Sequence, residues 1–224
     1  MPTITEDDWH SYTGEQTRKV IADQFATRNF ALGWVLNAGA GIYALRAGKS
    51  QEVSVDLFVA PIRDHSFSVC ATVERLPFRP QTFHAIVCVG EVLAYCDPAA
   101  AIREFARVAV PKGLLICDFG SSRSARHWLR RRYGRAADLV TDQYNGTPEK
   151  TWIYDPDYIS ALLVSSGFVI EETIGIHTFS AVARRIGVTA SIALRLQRRC
   201  PWLSLPNRWA DITTIVAARS ASST

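Results

Sequence analysis

The stretch VLNAGAGIY, Val35 to Tyr43, decides the fold. An apolar run from Gly33 to Leu36 breaks into Gly39-Ala40-Gly41. The pattern predicts a buried strand over Gly33–Asn37 that runs into a glycine turn. Glycine has no Cβ, so its backbone takes positive φ and lets a ligand come close. At the C-terminal end of a first parallel strand, such a turn borders the crevice where doubly wound α/β sheets take a nucleotide-like ligand. A G-x-G pair is short, and its weight depends on the residues downstream of it and on their spacing.

Working outward, Glu15–Phe30 carries apolar residues at helical spacing and is expected to be a helix leading into strand one. Beyond the turn only a short helical piece fits, around Ile42–Ala47, closed by Gly48-Lys49-Ser50. Glu52–Asp56 alternates as a strand and ends in a carboxylate. Phe67–Ala71 is expected as strand three and the loop VERLPFRPQTF comes after it. The continuous apolar run His84–Gly90 suits a strand covered on both faces. Pro98 opens a helix at its favoured first position, and Pro111-Lys112-Gly113 turns into strand five, Leu114–Phe119. Strand and helix alternate throughout, which implies a parallel sheet with right-handed crossovers. Ser121–Arg135 is arginine-rich and reads as a solvated helix face plus loop, and Thr141–Trp152 as polar and turn-rich. Asp155-Pro156 starts a helix, Gly167–Ile174 is a sixth strand, Ile176–Cys200 is helical and Ile212–Ala218 is the last strand.

The chain has 224 residues, 48% hydrophobic and 21% charged, which suits one globular unit with a real core. Its net charge of +4 accommodates an anionic ligand or nucleic acid without requiring either. No apolar run approaches a membrane span, and the polar, acidic start lacks a signal-peptide pattern, so a cytoplasmic location is expected. The five cysteines form no C-x-x-C pair and have no histidines at metal spacing, so no metal is expected; Cys70, Cys88 and Cys117 are read as fillers of buried strands.

These residues resemble the class I S-adenosylmethionine-dependent methyltransferases, of the broad small-molecule type. VLNAGAGIY is similar to the family's first motif, and Asp56 stands where the family has an acid ending strand two. The most specific piece is ERLPFRPQTFHAIVCVGEVLAYCDPAAAIREFARVAVPKGLLICDF, which looks like the family's L-P-F loop, fourth strand, D-P helix start and P-x-G turn. The resemblance implies a Rossmann-like, doubly wound seven-stranded sheet, mostly parallel with an antiparallel last strand. It also implies S-adenosyl-L-methionine as cofactor and methyl transfer to a small-molecule acceptor, in the setting of secondary metabolism. Carried over residue by residue, the cofactor site comprises Asn37, Ala38, Gly39, Gly41, Asp56, Leu57, Thr72, Val73 and Gly90. Asp56 would hold the ribose hydroxyls, Thr72-Val73 the adenine edge, and Gly90 would leave room near the sulfonium.

Three positions depart from that pattern: Asn37 replaces an acid, Tyr43 a third glycine, and Thr72 an aspartate. They keep open a methyltransferase-fold protein that does not methylate, such as a cyclase or a silent partner subunit. A nicotinamide enzyme is disfavoured by Ala44 where a third glycine would stand. An RNA methyltransferase is disfavoured by Gly90-Glu91-Val92-Leu93 where amine-methylating relatives carry a proline-aromatic motif. Methyl transfer needs alignment and exclusion of water, and an oxygen or nitrogen nucleophile often needs a base. Candidates for that base are His65, Glu91, Tyr95 and His177, all expected near C-terminal strand ends or in a lid; His84, His127 and His10 are poorer ones. The expected organisation is an N-terminal helical or lid segment over 1–32, a core over 33–175 and 210–218, and a helical insertion over 176–209. That insertion, with Trp9, Tyr12, Trp152 and Tyr154, is expected to cap the substrate or to form a homodimer contact.

Overall fold

The computed structural model describes residues 6–28, 33–45, 51–144, 147–188, 190–199 and 207–221. Among them, seven strands form one sheet in the order β3-β2-β1-β4-β5-β9-β8. These are β1 (Trp34–Ala38), β2 (Gln51–Asp56), β3 (Ser68–Cys70), β4 (Phe83–Cys88), β5 (Ala109–Gly120), β8 (Phe168–Ile176) and β9 (Ile212–Arg219). The pairs from β3 to β5 are parallel, and β9 runs antiparallel to both β5 and β8. The parallel register brings Ala38, Asp56, Cys70 and Cys88 to one edge of the sheet. Strand order reverses beside β1, between β2 and β4, and such a reversal opens a crevice at that edge.

Helices α3 (Pro98–Val108) and α4 (Pro156–Ser165) cover one face. Both begin as their sequences predict. Asp97 and Asp155 accept from the backbone N–H two residues on, and a proline occupies the first helical turn. Ala101, Ile102, Phe105 and Val108 lie at helical spacing and are fully buried. Each large one contributes about 1.5–3 kcal/mol of apolar burial. The opposite face is covered by α1 (Glu6–Thr27), whose Ile21, Val20 and Phe25 pack on Val35, Ala85, Val87, Leu114 and Ile116.

That second face carries a correction. Residues 42–45 make no helix, and residues 46–50 lie outside the described residues. In the described part of the first crossover, hydrogen bonds stand in place of the expected helix. Glu52 Oε1 accepts from Leu45 N and Asn37 Nδ2, and Asn37 Nδ2 also donates to the Tyr43 carbonyl. The helix α1 also begins nine residues earlier than its sequence suggests, because Gly14 and the polar run around it read as a break.

A second correction concerns Thr141–Trp152. It is an antiparallel hairpin, β6 (Ala137–Tyr144) with β7 (Thr147–Tyr154). Tyr144 pairs with Thr147; Asn145-Gly146, outside the described residues, stands between them in sequence, and that dipeptide is the strongest two-residue hairpin signal a sequence offers. The arginine-rich stretch forms turns and a single 3-10 turn, Ala125–His127, rather than a longer helix. Cys70 is exposed, because β3 is a three-residue edge strand, whereas Cys88 and Cys117 are buried as expected; Cys200 lies outside the described residues. Between β8 and β9 stand α5 (Thr178–Arg185) and α6 (Ala190–Arg199). No described helix is long and apolar enough to cross a membrane.

Candidate functional site

At the C-terminal edge the chain builds a shallow cradle. Gly39 and Ala40 both donate to the Val55 carbonyl, which folds the turn over the end of β2. Gly39 and Gly41 have φ of 71° and 51°, in the left-handed region that favours glycine. Asp56 stands across from them. Its Oδ2 accepts from Gly41 N and its Oδ1 from Phe58 N, each at 2.9 Å. A carboxylate has about four acceptor positions, so each oxygen keeps room for a ligand hydroxyl. The loop after β3 closes the near end: Ala71 donates to the Asp56 carbonyl, Val73 is buried, and Thr72 Oγ1 accepts from Glu74 N. At the far end lies Gly90, with φ of 87°.

Whether a nucleoside cofactor fits can be judged from these glycines. A Cβ added at Gly41 or at Gly90 would meet nothing within 4 Å, so open space lies over both. A Cβ at Gly39 would run into the Val92 side chain, so Val92 covers that glycine. The cradle therefore opens over Gly41 and Gly90, with the Asp56 carboxylate beside Gly41. A ribose with paired hydroxyls and a thioether or sulfonium tail suit that donor set. Tyr43 is 69% exposed. Leu57 is exposed at the same edge. Asn37 is 4% exposed, with its amide committed to Tyr43 and Glu52, so it works beneath the turn.

The four candidate bases are not brought together. His65 lies in the loop entering β3, with Nδ1 2.7 Å from Ser54 Oγ, on the β2 residue that pairs with Asn37. Glu91 comes directly after Gly90, and its Oε2 would stand 3.7 Å from a Cβ on Gly120, so its carboxylate reaches over the end of β5. Tyr95 closes a 3-10 turn, Val92–Tyr95, and is 59% exposed. His177 is fully buried after β8, with Nε2 2.9 Å from Thr13 Oγ1 and Nδ1 3.0 Å from Ser180 Oγ. Its ring lies 5.1 Å from that of Tyr12. His84 is exposed on β4 and His127 sits in the short 3-10 turn; the side chains of His10 and Trp9 lie outside the described residues.

The expected cap divides in two. Tyr12 packs with Ile176, Leu194 and Ile212 under the α5–α6 insertion. Trp152 and Tyr154 belong instead to the hairpin, where they line a cleft of about 540 Å³. Its other walls include Tyr95, Asp97, Leu139, Lys150 and Tyr158. Tyr154 is held by its hydroxyl, which donates to the Leu93 carbonyl at 3.1 Å. The turn 92–95 is thus shared: Val92 packs on the cradle and Tyr95 lines the cleft.

Two acids are not legible in the sequence as site residues. Asp118, fully within β5, is 1% exposed and its Oδ1 accepts from Glu91 N at 2.7 Å. Burial pushes its carboxyl up to about 6, against the lowering effect of hydrogen bonds from Glu91 and Gly90. Because the folded value lies above the ordinary 3.8, the group's contribution to stability is fully present below 3.8 and is lost as pH rises through about 6. Relative to Asp118→Asn, the wild type is expected to lose roughly 3 kcal/mol between pH 4 and pH 7, read by urea unfolding. A flat difference across that range would show that Asp118 does not titrate in this way. Asp211, 7% exposed, accepts from Ser124 Oγ and Arg126 Nη1, each at 2.8 Å. Burial works to raise its carboxyl, but Arg126, His177 and Ser124 together hold it below the usual range.

Comparison with known proteins decides what this edge belongs to. Residues 36–117 match the sequence profile of the methyltransferase domain. That stretch of the chain is similar to the methyltransferase domain, and the S-adenosylmethionine-dependent methyltransferases are what it resembles. The matched stretch runs from β1 through most of β5 and so contains every wall of the cradle. The whole chain is similar in fold to an S-adenosylmethionine-dependent methyltransferase of Clostridium acetobutylicum ATCC 824, with TM-score 0.61 and 12% identity over 92% of each chain. A methyltransferase of Mesorhizobium loti gives TM-score 0.57 and 13% identity over 87% of this chain and 94% of its own. The [4+2]-cyclase SpnF gives 0.58 and 16% over 90% and 81%. At these identities the likeness is one of fold. No curated protein matches the sequence. The cofactor implied by the domain is S-adenosylmethionine, as expected from the sequence.

Proposed function

We propose that this chain is a methyltransferase and that it acts on a small molecule with a flat, apolar body. The observation that carries the reading is the hairpin cleft. About 540 Å³ falls in the range of small-ligand sites, and Tyr95, Trp152, Tyr154 and Tyr158 give it the aromatic lining such ligands bury against. The shared turn 92–95 sets this cleft against the cradle. When bound, the cofactor supplies an electrophilic methyl group. The chain's part is to hold the nucleoside on Asp56 and Gly41, to keep room over Gly90, and to align the acceptor while excluding water. Glu91 and Tyr95, standing on either side of the turn, are the groups proposed to hold or move an acceptor proton.

The arginines between 121 and 135 support a small acceptor over RNA. Arg123 pairs with Asp155 and Asp157, Arg126 with Asp211 and Arg132 with Asp138, so these three bind the chain to itself. The cytoplasm and secondary metabolism belong to the same proposal. The test is label transfer from methyl-tritiated S-adenosylmethionine. Phenolic and aromatic-acid acceptors are expected to take label, and total RNA to take none. Label in RNA would overturn the small-molecule reading. Cofactor binding with no transfer to any acceptor would favour the cyclase-like alternative on the same fold.

A further inference from the structure

β4 leaves the sheet through two consecutive left-handed residues, Gly90 at φ 87° and Glu91 at φ 59° and ψ 28°. Glycine enters that region freely. A residue with a Cβ is strained there and persists only when its surroundings hold it. What holds Glu91 is Asp118, from the neighbouring strand. Its carboxylate accepts from Glu91 N at 2.7 Å and also from the Gly90 backbone. Successive N–H groups that converge on an anion form a nest, and nests commonly take phosphate or other bound anions. Here the anion is a side chain of the protein.

A carboxylate inside a strand is costly unless its bonds are made. Asp118 shares its face of β5 with Leu114 and Ile116, both buried among apolar side chains. Its cross-strand neighbour Thr214 has a buried hydroxyl with no partner among the described residues, so the described polar contacts of Asp118 run to the bend. The bend in turn directs two things. It leaves open space over Gly90, and it sends the next residue, Val92, onto Gly39.

We propose that Asp118 is a positioning residue for the cofactor cradle: its buried carboxylate holds the Gly90–Glu91 bend left-handed and so keeps the far end of the cradle open and in place. The identity of the ligand rests on the methyltransferase reading; the hold on the bend does not. Asparagine at 118 offers one oxygen and places an N–H₂ group where the second backbone N–H points. Glycine at 91 removes the strain that the carboxylate opposes.

Two measurements test this. The first is calorimetry with S-adenosylhomocysteine on wild type, Asp118→Asn and the double variant Asp118→Asn/Glu91→Gly. The single variant is expected to bind about tenfold more weakly, the scale of one lost hydrogen bond to a charged group. The double variant is expected to recover most of that loss, because glycine adopts the bend unaided. Wild-type affinity in the single variant, or no recovery in the double, overturns the proposal, since a merely structural acid would not be rescued by a change at residue 91. The second is the Glu91 amide proton by NMR, expected downfield in the wild type and upfield in Asp118→Asn. An unmoved amide signal overturns the hold on the bend even where Asp118→Asn folds poorly. If wild type binds no S-adenosylhomocysteine while the amide shift behaves as stated, the cofactor role falls with the methyltransferase reading and the bend survives.

Discussion

Replacing Asp56 by alanine is expected to weaken S-adenosylhomocysteine binding by about a hundredfold or more in calorimetry. The magnitude reflects the several bonds the carboxylate makes at once. It braces the glycine turn through Gly41 N and the start of the next loop through Phe58 N. In the proposed complex it also accepts from the ribose hydroxyls. Hydrogen bonds to a charged group are worth about 1.5–3 kcal/mol each, so losing two of them amounts to two or more decades of affinity. The turn itself has other supports, since Gly39 and Ala40 donate to Val55. The variant should therefore fold, with thermal unfolding close to that of the wild type. Affinity within about threefold of wild type would reduce Asp56 to a brace and remove it from the cofactor site.

Asp211→Ala is expected to give the largest loss of stability, about 3–5 kcal/mol in urea unfolding at neutral pH, the range for breaking a buried charged pair on one side. The carboxylate sits where three segments meet. It receives Ser124 and Arg126 from the segment after β5, and its backbone joins Ser121 on one side and Ile176 on the other. Without it Arg126 keeps a mostly buried charge with its named carboxylate partner gone. The pH dependence has a fixed sign. Asp211 is held below its ordinary 3.8, so its stabilisation is present above that value and disappears as pH falls through the lower, folded one. The gap between wild type and variant should therefore narrow on acidification. A gap that is constant down to about pH 2 would show that packing, not the ion pair, is what the alanine removes.

Much of this architecture can be read from local rules. The two Asp-Pro starts are legible because a capping acid and a proline at the first turn act within four residues, and both helices begin there. β4 is legible because a strand covered on both faces must be apolar throughout. The hairpin escapes the sequence reading although Asn145-Gly146 announces it, because Pro148 and the charges around it mask the alternation. The candidate site is legible where it depends on backbone: the glycines and the acid ending β2 stand together at one edge. It is not legible where it depends on pairing between distant strands. Nothing near Asp118 in sequence shows that its carboxylate meets residues 90 and 91, twenty-seven positions earlier for the latter. Asp211 and Arg126 are eighty-five residues apart. The contact of His65 with Ser54 is equally hidden, because a short α2 (Val59–Ile62) separates the two in the chain.

The helix α1 lies over the face that residues 42–45 leave bare, closing Ile21 against Val35, Ala85, Val87 and Ile116. The profile-matched span, 36–117, is consequently not a portable module. Cut out alone, it would present a wall of valine, alanine and isoleucine to water, and such surfaces find each other before they find anything else. Residues 6–27 are thus part of what keeps this sheet from aggregating, and fusion or truncation schemes have to leave them attached.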